Sequence, residues 1–423
     1  MAGGLFNQVQ DDLWEQGRLE MTQMVSGENM AQTEKAVTAM TFNLPWPGAG
    51  DQFLLRPEVT FLNHGSFGAT PRPVFERYQA WQRELEGQPV EFLGRRIRDL
   101  LAEARAPLAE YLHTSPDDLV YVPNITFAVN IVARSLDLQP GDEVLATNHE
   151  YGASDRTWRF NCAKKGVRYI NQPIALPITT ADDFVDQLWA GVTERTKIIF
   201  ISHITSATAL IFPVAEVCRR AREAGILTVI DGAHAPGHID VNLDELGADY
   251  YLANCHKWMM APKGAGFLHA QPEMQARLEP LVVSWGWESE VPSGSEFQDW
   301  FGWMGTDDPA PYLSVPAAID FQREHDWPTV RAECHRLVVW ARERIAEMTG
   351  MEPICPESWL GQMAVVPLPI GSLDKLGTRL WDEYRIEIPQ MRWNGREFLR
   401  ISIQAYNSAG DIEKLLAALK QIL

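Results

Sequence analysis

Apolar and polar positions alternate along most of this chain with two distinct periods. Around 72–86 and 94–112 the apolar residues recur at helical spacing, which predicts two amphipathic helices separated by Gly87-Gln88-Pro89. Short apolar runs then take turns with helical stretches. The pattern predicts strands at 119–122, 143–147, 167–172, 197–203 and 227–230, with helices at 125–136, 153–165, 181–192 and 213–224 between them. Gly141, Gly166 and Gly225 fall where a helix or loop yields to a strand. Strands separated by helices at this spacing predict a parallel sheet covered on both faces. Two further runs, YYLAN and GAGFLHA, extend it.

Past residue 280 the pattern changes. Residues 280–311 are irregular and rich in Gly, Pro, Trp and acids, a length of loop that usually marks function or an interface. Helices are expected at 312–325 and 328–349, after which MAVVPLP, YRIEIP and FLRISI alternate with helices at 372–383 and 409–422, an α+β pattern. Ser408 with Asp411 forms a candidate cap for the last helix, and Asn407 is the alternative. Residues 1–50 show little periodicity beyond one weak helix in LWEQGRLEMTQM and read as an appended arm. The expected organisation is therefore an α/β chain. An arm spans 1–50, a large domain with a mostly parallel sheet spans 51–311, and connecting helices with a small C-terminal α+β domain span 312–423.

Composition narrows the partners. Fifty-six acidic against 37 basic residues give a net charge of −19, which argues against nucleic acid or an anionic membrane and favours a small-molecule substrate. No apolar run approaches the roughly 18 residues a membrane helix requires, and the first residues are too polar for a signal peptide. Five cysteines without CxxC spacing indicate neither a disulfide framework nor a zinc site, and fit a reducing, cytoplasmic compartment. Trp285, Trp287, Trp300 and Trp303 crowd into the irregular segment, as an aromatic lip, an interface or packing under the loop.

The chemistry gathers at strand ends, where open α/β sheets bind ligands. The run LTVI leads into Asp231-Gly232-Ala233-His234-Ala235-Pro236-Gly237-His238, and YYLAN leads into Cys255-His256-Lys257-Trp258. His234 and His238 have the four-residue spacing of a zinc helix, and with His203, His256 and Asp231 they define a competing reading, a metal-dependent hydrolase. Pro236 and Gly237 between them make a helix unfavourable there, so no metal is expected. A lysine set beside apolar Trp258-Met259-Met260 is disfavoured as an ammonium, which is how a lysine becomes a Schiff-base nucleophile. An aspartate on the neighbouring strand end suits the pyridinium nitrogen of pyridoxal phosphate. Asn124, Ile125 and Thr126 open a helix directly after a strand, a ready phosphate site.

FLNHGSFG, NHEYGA, VIDGAHAPG, NCHKWMMAP, VSWGW and IEIP with FLRIS occur in that order from about residue 59 onward. In these motifs the chain resembles the class V, cysteine-desulfurase-like branch of fold-type I pyridoxal-phosphate enzymes. The resemblance implies that Lys257 bonds the cofactor aldehyde, Asp231 pairs with the ring nitrogen, and His234 approaches the ring hydroxyl. It implies that Tyr151 stacks on the ring, that Thr126, Asn254 and His256 hold phosphate, and that Ser206 lies near the cofactor. Thr306 matches the residue that reaches the phosphate of a neighbouring subunit, implying a homodimer with shared sites, and Arg400 matches the arginine that binds the substrate α-carboxylate. His64 and Arg95 are further substrate-binding candidates. The implied activity is epimerisation or racemisation at an amino-acid α-carbon. The alternative is a C–S lyase working by elimination, and a non-catalytic binding protein is a third reading. Residues 356–423 contain no cysteine to carry a persulfide, so a desulfurase relay is not expected.

Overall fold

The computed structural model describes residues 48–423; the helix expected in LWEQGRLEMTQM, with nearly all of the arm, lies outside them. The described chain opens with β1 (Thr60–Phe61), the single turn α1 (His64–Phe67) and two long helices, α2 (Arg72–Gly87) and α3 (Ile97–Leu112). A π-turn over Phe92–Arg96 precedes α3, so that helix begins later than its periodicity predicts.

The alternating region folds close to its pattern. In order come β2 (Leu119–Val122), α4 (Ile125–Ser135), β3 (Glu143–Thr147), α5 (Gly152–Lys165), β4 (Arg168–Gln172), α6 (Ala181–Trp189), β5 (Thr196–Ser202), α7 (Val214–Glu223), β6 (Leu227–Asp231), β7 (Tyr250–Asn254) and β8 (Gly266–Ala270). They form one seven-stranded sheet in the order β2-β8-β7-β6-β5-β3-β4. Successive residues enter opposite cores. Ile199 and Ile201 join one apolar cluster, whereas Ile198 and Phe200 join the other, which accounts for runs too continuously apolar to alternate visibly. The sheet is mixed, because β8 runs antiparallel to both β7 and β2. The link from Asn254 to Gly266 carries no crossover helix, and a parallel return requires one.

The C-terminal part contains α8 (Val315–Glu324), α9 (Trp327–Thr349), β9 (Met363–Leu368), β10 (Ile386–Glu387), β11 (Gln390–Trp393), β12 (Arg396–Ser402) and α10 (Ala409–Ile422). Strands β11-β12-β9 make an antiparallel sheet, and β10 pairs in parallel with β1, tying the two ends of the described chain together. Several boundaries differ from expectation. The helix expected at 312–325 is two helices, Ala310–Leu313 and α8, and the one at 372–383 breaks at Gly377, whose φ of 7° and ψ of −116° leave the helical region. The irregular 280–311 segment holds a short helix, Glu296–Gly302, capped by the Ser295 side chain. Ser408 and Asp411 form a reciprocal capping box on α10, so Ser408, not Asn407, is the cap.

Candidate active site

Parallel register sets β5, β6 and β7 side by side, with Ser202 opposite Asp231 and Asp231 opposite Leu252. Their C-terminal ends, together with α1 and the start of α4, enclose a cavity of about 230 Å³. Ten of the residues singled out from sequence line it: Asn124, Ile125, Thr126, Tyr151, Ser206, Asp231, His234, Asn254, His256 and Lys257. Arg400 on β12 stands directly behind, its guanidinium bonded to two lining residues, Ser66 Oγ at 2.9 Å and the Ser206 carbonyl at 2.8 Å.

Lys257 is reached through a directional chain of hydrogen bonds. The indole N–H of Trp258 can only donate, and it lies 3.2 Å from Nδ1 of His234, so Nδ1 is the acceptor. Burial, reinforced by the charges of Lys257 and Arg400, holds the His234 ring well below its ordinary pKa and therefore neutral. A neutral ring accepting at Nδ1 carries its hydrogen on Nε2, which lies 3.1 Å from the Lys257 amine. That N–H needs an acceptor, and only an uncharged amine supplies one. Burial first, and then the Arg400 charge, bring Lys257 down to about 8 against the opposing pull of Asp231, in agreement with this geometry.

Asp231 is buried, and desolvation raises its pKa against the Ala233 amide, the Lys257 charge and the Ser154 hydroxyl. The Ala233 N–H at 3.0 Å and the Ser154 hydroxyl at 3.2 Å occupy one carboxylate oxygen each and fix its plane. Asn254 accepts the Ile125 amide at 3.0 Å, while Asn124 caps α4 through the Phe127 amide. His256 is engaged with the Ala265 carbonyl, and burial brings it to about 4. Gly68, with φ 70°, ends α1 where a Cβ would stand 2.1 Å from the His256 carbonyl oxygen. The tight GSFG turn thus exists to let α1 press against the backbone of the lysine segment.

Arg400 is only 3% exposed. Burial lowers it to about 10, Nε has no partner, and among the described residues no carboxylate pairs with it. A buried cation of this kind is costly unless an anion completes it, and a substrate carboxylate is such an anion. The cavity thus brings together an amine held near neutrality, an acid and a helix N-terminus, with a guanidinium that has no carboxylate partner behind two of the lining residues.

The structure does not bring three other candidates to the cavity. His64 is fully buried, with Nδ1 bonded to the Tyr406 hydroxyl at 2.9 Å and Nε2 at 3.1 Å from the Lys257 carbonyl. It supports the lysine segment from behind and faces no substrate space. Arg95 lines a separate cavity of about 700 Å³ with Arg98, Trp285 and Trp303, where no lysine or histidine joins it. Its greater volume is not chemistry. Thr306 is exposed and lies outside the cavity of its own chain. The histidines of the metal reading are engaged elsewhere: His238 accepts the Gln362 amide at Nε2 and donates from Nδ1 to the His234 carbonyl, and His203 meets the Tyr251 hydroxyl. No cluster of three or more His, Cys, Asp or Glu suited to a metal is found among the described residues. Sequence reasoning missed Ser66, Ser154, Ser202 and the Trp258 N–H, because ordinary serines and a tryptophan carry no signal until the fold aims them.

Comparison with known proteins adds lineage to this geometry. The aminotransferase class-V family profile matches residues 61–415. An isopenicillin N epimerase of Amycolatopsis lactamdurans is 38% identical over 394 residues, covering 89% of this chain and 98% of its own length. A putative L-cysteine desulfhydrase of Oryza sativa subsp. japonica is 28% identical, covering 86% of this chain and 83% of its own length. In three dimensions the chain superposes on C-DES with glycine covalently linked to its PLP cofactor (TM-score 0.76, 21% identity, 88% of this chain and 99% of that one). It likewise superposes on a cysteine desulfurase from Thermococcus onnurineus NA1 (TM-score 0.75, 19% identity, 88% and 96%).

Proposed function

The chain belongs to the class-V aminotransferase family, and from that premise we propose that it is an epimerase or racemase inverting the α-carbon of an amino acid or an amino-acid-containing substrate. Its cofactor is pyridoxal 5'-phosphate, which when bound withdraws electrons from the α-carbon and so acidifies the α-proton. The isopenicillin N epimerase relative, similar over nearly its whole length, supports this reading.

Each residue then has a task. Lys257, kept partly uncharged by the Trp258–His234 chain, bonds the cofactor and later takes or returns the α-proton at Nζ. Asp231 would supply the negative charge for the ring nitrogen, and Asn124, Ile125, Thr126, Asn254 and His256, which line the same cavity, would hold the phosphate. Arg400 orients the substrate through its carboxylate, which exchanges with the Ser66 and Ser206 contacts the guanidinium now makes.

Inversion requires a second group to deliver a proton on the opposite face. The observation that carries the epimerase reading is that Tyr151 is 47% exposed among the cavity-lining residues, whereas His64 is walled off. Tyr151 is therefore assigned as that second group. A C–S lyase is the other reading, supported by the desulfhydrase relatives. Cys355 is buried with its thiol pushed up to about 11, which does not suit a persulfide carrier. Val283, Trp285, Trp287 and Val291 expose an apolar patch on the 280–311 segment, which fits a homodimer in which Thr306 reaches the partner's site. All five cysteines are free, in keeping with a cytoplasmic setting, and no described helix is long and apolar enough to cross a membrane. The division at 311/312 into cofactor-binding and C-terminal domains belongs to the same proposal. Incubating the loaded enzyme with amino acids and short peptides bearing a free α-amino acid, followed by chiral chromatography, tests it. Appearance of the opposite epimer supports the assignment, and release of keto acid, ammonia or sulfide without inversion overturns it.

A further inference from the structure

One buried acid beside the cavity has no part in the reaction as assigned. Glu150 follows β3, immediately before Tyr151, and is 8% exposed. Its Oε2 accepts two hydrogens from the end of β5, the Ser202 amide at 2.9 Å and the Ser202 hydroxyl at 2.6 Å. Its Oε1 has a single contact, the Thr147 hydroxyl, which donates to it at 2.6 Å, and the Thr147 oxygen in turn accepts the His149 amide at 3.1 Å. Ser202 lines the cavity and is the register partner of Asp231. Glu150 therefore clamps the turn carrying Tyr151 to the strand end next to the cofactor's acid.

The contrast with the opposite end of β3 shows what Glu150 lacks. Glu143 is also shielded from solvent, but it lies at the rim of the sheet, where Arg168 at 2.7 Å and Arg195 at 3.1 Å, both largely exposed, pair with it. Burial alone would raise Glu143, yet the Thr193 hydroxyl and Arg195 bring it below the ordinary value. Among the described residues no Lys, Arg or His contacts the Glu150 carboxyl. The groups facing it are the hydroxyls of Thr147 and Ser202, the carboxylate of Asp231 on β6 and the phenol of Tyr169 on β4, none of them cationic. The neighbouring His149 ring is bonded to Thr208 and the Ile174 carbonyl, and burial holds it at about 4, hence neutral. A second bare carboxylate here would add a like charge beside Asp231 with nothing to offset it.

We propose that Glu150 is a positioning residue that works as a neutral carboxylic acid, locking the Tyr151 turn to Ser202 and leaving Asp231 the single negative charge at the cofactor ring. Burial, moderated by the Ser202 and Thr147 hydrogen bonds and raised further by Asp231, takes the acid to about 8, in keeping with this state.

A neutral acid and a carboxamide present the same donor and acceptor, which gives the test its direction. In the full-length holoenzyme, Glu150→Gln is expected to keep the visible absorbance maximum of the cofactor and its pH midpoint, with a pyridoxal phosphate Kd within about twofold of wild type. The wild-type minus Glu150→Gln infrared difference spectrum at pH 7 is expected to show the carbonyl band of a protonated carboxyl, shifting in heavy water. Glu150→Leu, which unties the clamp and leaves Ser202 unpaired, is expected to weaken cofactor binding on the order of tenfold. Absence of the protonated-carboxyl band, or a midpoint displaced by about one unit in Glu150→Gln, would overturn the proposal whether or not the leucine variant folds. The absorbance and cofactor-binding readouts rest on the cofactor assignment. Wild-type protein that failed to bind pyridoxal phosphate would defeat that assignment, while the infrared result on unloaded protein would still decide the state of Glu150.

Discussion

Replacing Trp258 by phenylalanine keeps a buried ring in place and removes one hydrogen bond donor, the indole N–H that holds His234 Nδ1 as an acceptor. The freed Nδ1 is left buried without a partner in either tautomer, a loss of about 1–3 kcal/mol, and nothing any longer holds the imidazole in the form with its hydrogen on Nε2. Nε2 then becomes the acceptor toward Lys257, and an acceptor at that position favours the ammonium over the amine. The magnitude follows from the lysine. At about 8, roughly a quarter of Lys257 is uncharged at pH 7.5. An upward move of one unit, equivalent to about 1.4 kcal/mol, leaves roughly 3% uncharged. Capture of the cofactor aldehyde needs the free amine, so the second-order loading rate of the apoprotein at pH 7.5 should fall about eightfold. The assay is stopped-flow absorbance after mixing with pyridoxal phosphate across pH, with thermal melting to verify folding. The predicted result is a loading midpoint moved to higher pH. An unmoved midpoint in a folded variant would refute the claim that Trp258 sets the state of the lysine through His234.

Other perturbations probe separate parts of the account. Arg400→Lys loses the planar fork while keeping the charge, and should raise KM for α-carboxylate substrates on the order of 10²-fold with little change in cofactor absorbance; equal KM values would remove Arg400 from carboxylate binding. Gly68→Ala places a Cβ 2.1 Å from the His256 carbonyl at a φ of 70°, and should cost about 2 kcal/mol or more and reduce cofactor loading, as read by denaturant melting and bound absorbance. A variant as stable as wild type would show that α1 does not press on the lysine segment. Glu150 has a folded pKa of about 8 against an ordinary 4.5, so the folded state holds its proton where the unfolded chain has released it. Stability tied to that proton is full below 4.5 and is lost as pH rises through 8, so the melting temperature of Glu150→Gln should gain on wild type across that window. A constant difference from pH 5 to 8 would contradict the raised value.

The sequence pattern carried most of the sheet and the gathering of polar residues at its strand ends, because both rest on local signals. The strands from β2 to β7, apart from the polar edge strand β4, are short apolar runs bounded by turns, and Asp231, His234, Asn254 and Lys257 sit at the ends of two of them. What escaped it depended on distant pairing. The antiparallel placement of β8 comes from a connection without a helix, and β10 joins β1 across most of the chain. His64 was a candidate because it stands in the FLNHGSFG motif, yet its two ring nitrogens are engaged by the Tyr406 hydroxyl and the Lys257 carbonyl, outside the cavity. Arg95 follows that motif by one long helix in sequence and lines a different cavity in space. The Trp258–His234–Lys257 chain was invisible for a related reason: its three members are sequence neighbours only in part, and hydrogen bond direction is a property of placed atoms.

The central claim is that Lys257 and Tyr151 move the α-proton from two sides of one cavity. It is tested most directly by running the loaded enzyme on an L-amino-acid substrate in heavy water, stopping early, and measuring deuterium at the α-carbon of each enantiomer by mass spectrometry after chiral separation. The account predicts deuterium in the inverted product while the recovered substrate stays protiated, with Tyr151→Phe abolishing inversion. Equal deuterium in both enantiomers, or ammonia and keto acid in place of the inverted product, would contradict it.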